Sequence, residues 1–294
     1  MYLKFFMQDF KHFFIEVNGV ELHYVKAGNG KKLVILLHGW PEFWYSWHHQ
    51  IEALSHQFTV VAVDMRGFND SEKPHGIENY QAHIVTKDIA ELIVKLGFKK
   101  AHIVGHDWGG AIAYGFAMNH RDLLDQLVIL NCPHPTIFMK FLKKEPQQIL
   151  KSWYMFLLQL PFLPEFVLKR SLAYFFRQFI RGWCYNKQAF SDEELQLYVN
   201  AYLKPGALTA TINYYRAMMQ LTIRKPNGIP RGKIANQTLI IWAENDKALS
   251  KEMTFGMEPY FDAPFEIKYI SNCSHWVQND APDKVTEFLL SFLK

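Results

Sequence analysis

The chain has 294 residues, of which 49% are hydrophobic, 16% aromatic and 20% charged, too apolar and aromatic for a disordered or low-complexity protein. This length suits two domains at most, or one α/β domain carrying a large insertion. The net charge of +4 hides an uneven spread: 13 Lys and Arg against 5 Asp and Glu give +8 between Pro135 and Pro230, leaving −4 for the rest, and no uncharged run is long enough to span a membrane.

The chain opens with a predicted hairpin. Residues 13–17 and 20–25 flank Asn18-Gly19, the strongest two-residue turn signal. After Gly28-Asn29-Gly30 the pattern changes to continuous apolar runs at 33–37, 58–63, 102–104, 127–130 and 238–242, as strands buried on both faces require. Helical patterns lie between them, at 80–96 and at 109–119, so the order strand, helix, strand, helix implies a mostly parallel, doubly wound sheet. The alternation stops near Asn131 and resumes near Ile234. Eight of the 13 prolines fall between, among helical segments rich in Trp, Tyr and Phe. This reads as a helical cap of residues 134–230 inserted into a core of residues 1–133 and 231–294. The Pro and Gly residues at 226, 228, 230 and 232 mark the return, and 265–270 with an amphipathic helix over 282–293 complete the core.

Several function classes drop out. Cys132, Cys184 and Cys273 have neither the count nor the spacing of a disulfide or zinc framework and read as small buried residues. No Walker loop, dinucleotide fingerprint, HExxH helix or nucleic-acid module occurs, so no metal, cofactor or nucleic-acid partner is expected. Lys4, Asp9 and Lys11 interrupt the N-terminal stretch before a signal-peptide core develops, which predicts a cytoplasmic location. The phenylalanines there, among them Phe5 and Phe6, and the basic insertion are candidates for weak membrane-surface contact. Most of the scattered basic residues read as a solvated face. Oligomeric state is not legible.

Val104-Gly105-His106-Asp107-Trp108-Gly109-Gly110 sits at a strand-to-helix junction with glycines two before and two after Asp107. That is the pattern of a nucleophile elbow, whose tight turn excludes flanking side chains, with Asp where hydrolases have Ser. A carboxylate nucleophile makes an ester, and releasing it needs water activated by a base that another group orients. His275, in the loop after the last strand, is the expected base, and Asp246, after the strand at 238–242, the orienting acid. The alternative acid position, after the strand ending at Leu130, holds Asn131; Glu244 is a weaker rival. His38-Gly39-Trp40-Pro41 places the backbone N–H of Trp40 to join that of Trp108 in an oxyanion hole. Asp64-Met65-Arg66-Gly67 reads as a structural turn.

With these stretches, and with Trp44-Tyr45-Ser46-Trp47 and Cys273-Ser274-His275-Trp276, the chain resembles the epoxide hydrolases of the α/β-hydrolase fold over nearly its whole length. The resemblance implies that two cap tyrosines grip the epoxide oxygen, and Tyr154, seven residues before Pro161, and Tyr215, in Asn213-Tyr214-Tyr215-Arg216, stand where the family's motifs put them. Spacing alone would read the stripe Leu208, Ile212, Tyr215 and Met219 as core. The expected substrates are a small hydrophobic epoxide, contacted by Tyr154, Tyr215 and Trp108, and water. Trp153, Phe156, Leu157 and Trp183 are expected around the cleft. Asn69 and Ala243 replace glycines common in relatives. Haloalkane and fluoroacetate dehalogenases share the Asp, His and Asp set, but Trp108 stands where fluoroacetate enzymes carry Arg and Trp40 where many haloalkane enzymes carry Asn or Glu. A non-catalytic ligand sensor on the same fold is the third reading, against which the intact residue set argues.

Overall fold

The structure is a computed structural model that describes residues 10–224 and 232–294. Expectations placed on Phe5, Phe6 and the return at 226–230 lie outside them. Among the described residues the sheet runs β1 (Lys11–Val17), β2 (Val20–Ala27), β3 (Leu33–Leu37), β4 (Thr59–Val63), β5 (Ala101–His106), β6 (Leu124–Leu130), β7 (Thr238–Ala243) and β8 (Phe265–Ile270). Their spatial order is β1-β2-β4-β3-β5-β6-β7-β8, with β1 and β2 antiparallel and the rest parallel from β4 to β8. The apolar runs mark the centre because β3, β4 and β7 are buried at every position, having no solvated face to alternate with.

Asn18 and Gly19 both adopt positive φ, 47° and 73°, as the hairpin's turn requires. The Asn18 amide then donates to Asp88 at 2.8 Å, fixing the turn to the helix behind it. The helices of the first half are α1 (His48–Ser55), α2 (Ala82–Lys95) and α3 (Trp108–Asn119). The predicted helix at 80–96 starts later than expected, because a 3₁₀ turn at Ile77–Tyr80 precedes it and Gln81 is extended. The Asp64-Arg66 turn is structural, as read. Asp64 accepts from the Trp44 N–H at 2.9 Å and bonds His23 at 2.6 Å, while Arg66 forks onto both oxygens of buried Asp88. Asn69 takes the left-handed conformation with φ 38°, which Asn tolerates where a bulkier residue would not.

Between β6 and β7 lie α4 (Pro135–Lys144), α5 (Pro146–Lys151), α6 (Trp153–Leu157), α7 (Leu163–Phe176), α8 (Asp192–Leu203) and α9 (Ala207–Arg224). Ser191 caps α8 with a reciprocal Glu194 contact, a capping box. Tyr214 of α9 donates its hydroxyl to the Arg66 carbonyl at 2.9 Å, and Asp280 accepts from the Tyr185 and Asn186 N–H groups at 3.1 and 2.7 Å. These bonds pin the inserted helices to the sheet half from two sides. After β8 come α10 (Val277–Asp280) and α11 (Pro282–Phe292). The three cysteines are free and buried.

Candidate active site

Asp107 joins β5 to α3 with φ 49° and ψ −117°, a conformation that costs an L residue roughly 1–3 kcal/mol. The surroundings explain why the turn can be held. A Cβ on Gly105 would lie 2.4 Å from the Gly109 carbonyl oxygen, and one on Gly109 only 2.1 Å from that of Leu37. A Cβ on Gly39 would meet the Asp107 Cβ at 2.5 Å, so the loop after β3 also closes to backbone distance on the elbow. The result is a carboxylate raised above the ends of the central strands.

Three loops converge on it. The Trp40 N–H donates to Asp107 Oδ1 at 2.8 Å. His275 Nε2 lies 3.5 Å from Asp107 Oδ2, and its Nδ1 is 2.7 Å from Asp246 Oδ2. Asp246 is held in turn: the Asn131 amide donates to Oδ2 at 2.6 Å, and the Ala248 and Leu249 N–H groups donate to Oδ1 at 2.7 and 2.9 Å. Burial works against the His275 imidazolium, yet Asp246 and Asp107 outweigh it and push its pKa up to about 10. Burial likewise raises both carboxyls, but the bonds from His275 more than compensate and leave Asp107 and Asp246 below the ordinary value.

Tyr154 on α6 and Tyr215 on α9 face the elbow with rings 6.0 Å apart and nearly perpendicular. Tyr154 stacks over Trp40 at 6.4 Å, and Tyr215 meets the Trp108 ring edge-on at 5.0 Å. Burial and nearby Asp107 hold both phenols protonated. Trp108 opens α3, so its N–H has no intrahelical acceptor. An apolar cavity runs from these groups outward between the inserted helices and α2 and α3, walled by Phe138, Met139, Met155, Met218, Leu221 and Leu249.

Every sequence-predicted site residue therefore meets in one place, but the expected cleft aromatics do not. Trp153, Phe156 and Leu157 are exposed on the outer side of α6, and Trp183 borders a second cleft with Lys151, Asn245 and Asp246. The reason is geometric: Tyr154 and Met155 take the inward positions of that short helix, which turns residues 153, 156 and 157 away. Glu244 pairs with Lys251 at the surface, as its weaker standing suggested.

Sequence reasoning missed four contributors. Asn131, with φ 41° at the end of β6, bridges the Ala243 N–H and Asp246. Glu42 accepts from the Gly39 N–H at 2.8 Å and from the Gln278 amide at 2.7 Å, and lies 2.7 Å from His106 Nδ1. His106 Nε2 donates to the His275 carbonyl at 2.9 Å. This buried network joins the loop after β3, the elbow and the His275 loop beneath the reacting groups. A Glu and a His inside apolar runs were the available signal. Among the described residues, the one grouping of three metal-type donors, His23, Asp64 and Asp70, lies outside the cavity, with His23 bonded to Asp64.

A parallel sheet, a carboxylate elbow and a histidine on the last loop define a hydrolase class, and a family profile described as the alpha/beta hydrolase fold matches residues 32–282. The chain is 36% identical to epoxide hydrolase 3 of Xenopus tropicalis over 94% of this chain and 76% of that protein. It is 35% identical to epoxide hydrolase 4 of Homo sapiens over 95% and 77%. The crystal structure of Bacillus megaterium epoxide hydrolase in complex with an inhibitor superposes with a TM-score of 0.87 at 30% identity, covering 96% of this chain and 99% of that one. The chain belongs to the epoxide hydrolase family of the α/β-hydrolase fold.

Proposed function

We propose that the protein hydrolyses small hydrophobic epoxides to vicinal diols through an alkyl ester on Asp107. Asp107 Oδ2 attacks an epoxide carbon, the ring C–O bond breaks, and the oxygen takes a phenolic proton from Tyr154 or Tyr215. Oδ1, already held by the Trp40 N–H at 2.8 Å, becomes the ester's carbonyl oxygen. In the second step His275 Nε2 takes a proton from water, and the hydroxide adds to the ester carbon. Negative charge then develops on Oδ1, where the N–H groups of Trp40 and Trp108 stabilise it. Collapse returns the carboxylate, the adduct's hydroxyl proton goes to the leaving alkoxide to release the diol, and the proton taken from water leaves His275 as the imidazolium of the resting protein. Esterification supplies its own trigger: once Asp107 is neutral, one of the two charges raising the His275 pKa is gone, and the imidazolium passes its proton to the tyrosinate left by ring opening, which frees His275 to act as the base. The segment 134–230 serves as the cap that carries both phenols over the nucleophile, and no metal or cofactor takes part.

The observation that carries this reading is the pair of buried phenols facing Asp107 in an apolar cavity, suited to a developing alkoxide. The test is intact-mass spectrometry of His275→Gln protein with excess aryl epoxide. A gain equal to the mass of the epoxide is expected, because alkylation proceeds while hydrolysis stalls. No adduct, together with retained turnover in Asp107→Ala, overturns the assignment. Halide release from haloalkanes by a protein that leaves epoxides untouched would place it with the dehalogenases.

A further inference from the structure

The outward side of α6 and α7 is the least ordinary surface of the molecule. Trp153, Phe156 and Leu157 recur at i, i+3 and i+4, the spacing of one helix face, and with Leu160 in the turn that follows all four are exposed, Trp153 at 59%. On the adjoining helix Leu163, Phe166 and Val167 follow the same rule and are likewise exposed, as is Tyr174 beyond a kink at Ser171. Phe162, in the turn between, is 84% exposed, and Leu150 just before is 74% exposed. Single exposed apolar residues need no explanation, whereas a contiguous set of this size marks a binding surface.

Charge identifies the partner. Between residues 143 and 190 there are eight Lys and Arg and two acids, Glu145 and Glu165, and of the eight Arg177 and Arg181 pair with Asp192 at 3.6 and 2.8 Å. Glu165 is spent on Arg216 at 2.7 Å. Exposed Lys169 and Arg170 share α7 with the apolar face, and the Arg170 guanidinium lies 3.5 Å over the Phe166 ring. Aromatic and Leu side chains on one face with cations beside them are the make-up of a helix that lies in a bilayer interface. A second copy seated on the same face would bring these cations against themselves. No helix among the described residues is long and apolar enough to cross a membrane, so the contact is peripheral.

We propose that the outer face of α6 and α7 docks the protein on an anionic lipid surface. Trp153, Phe156 and Phe166 enter the boundary between headgroups and acyl chains, while Lys169 and Arg170 hold lipid phosphates. The face that docks is the reverse of the helix that points Tyr154 and Met155 into the cavity. Docking stands apart from the chemistry proposed above, and its test needs no turnover.

The full-length chain is sedimented with phosphatidylcholine vesicles with and without phosphatidylserine, at low and high salt. Binding is expected to the anionic vesicles and to weaken with salt. A Leu150→Glu and Phe166→Glu double variant, and separately a Lys169→Glu and Arg170→Glu double variant, should each bind at least tenfold more weakly, with unchanged melting temperature. Failure of the wild type to bind anionic vesicles, equal binding to neutral ones, or equal binding by the variants overturns the proposal. So does a solution dimer that the Leu150→Glu and Phe166→Glu variant disperses, which would assign the face to a second copy.

Discussion

Replacing Asp107 by Asn keeps the shape of the side chain while removing its charge, and so imitates the ester form of the nucleophile. Asp107 Oδ2 lies 3.5 Å from His275 Nε2. Two unit charges at that distance interact by about 5 kcal/mol at an effective dielectric constant of about 20, which corresponds to a pKa difference of roughly three and a half. His275, at about 10 in the resting protein, should therefore fall towards the ordinary histidine range. The change is visible by NMR of the imidazole ring, with the signal assigned by its loss in His275→Gln. It also has a thermodynamic counterpart. A histidine whose folded pKa is raised stabilises the fold fully below the unfolded value, near 6.5, and loses that stabilisation as pH rises through the folded value, about 10. Wild-type melting temperature should accordingly decline between those limits, and in Asp107→Asn, where the folded and unfolded values nearly coincide, the decline should largely disappear. If His275 stays protonated in Asp107→Asn as far as in the wild type, Asp246 alone sets its pKa and the trigger proposed for the second step is wrong.

Tyr154→Phe and Tyr215→Phe should each slow ester formation, and the double variant should lose ~10²- to 10⁴-fold or more in single-turnover alkylation; full activity would return both residues to a packing role. Asn131→Ala removes a 2.6 Å bond to buried Asp246 and orphans the Ala243 N–H, so thermal unfolding should show a loss of about 1–3 kcal/mol and kcat should fall while KM holds. Gly109→Ala sets a methyl 2.1 Å from the Leu37 carbonyl oxygen, and loss of soluble, folded protein is expected on expression. If the basic stretch of the insertion steers substrates, an epoxy fatty acid should outperform its methyl ester at low salt and the advantage should collapse at high salt; an advantage indifferent to salt refutes steering.

The strands were legible because a sheet covered on both faces leaves no alternation to misread: β3, β4 and β7 are unbroken apolar runs. The elbow was legible for a different reason, since glycines on both sides of Asp107 are demanded by backbone contact rather than by preference. What escaped was of two kinds. Asn131, Glu42 and Gln278 act by bonds to residues far along the chain, and nothing local to an Asn, Glu or Gln announces such a partner. The faces of α6 also escaped, because a helix apolar on both sides has no polar stripe to tell inside from outside. Trp153 and Met155 are equally hydrophobic on paper, and tertiary packing decides which is buried.

The Glu42, His106 and Gln278 network has a consequence for the order in which the protein acquires its chemistry during synthesis. Glu42 and His106 are separated by 64 residues, but Glu42 and Gln278 by 236. The nucleophile can take its strained turn once β3, β5 and α3 have met, while its base and Gln278 are synthesised far later than any of these. A nascent chain holding most of the sheet can thus at most form the ester, and turnover should appear in one later step when the His275 loop closes against the loop after β3. Stalling translation between Asp246 and Cys273 would leave a chain with both carboxylates and no base to release an ester formed on the first.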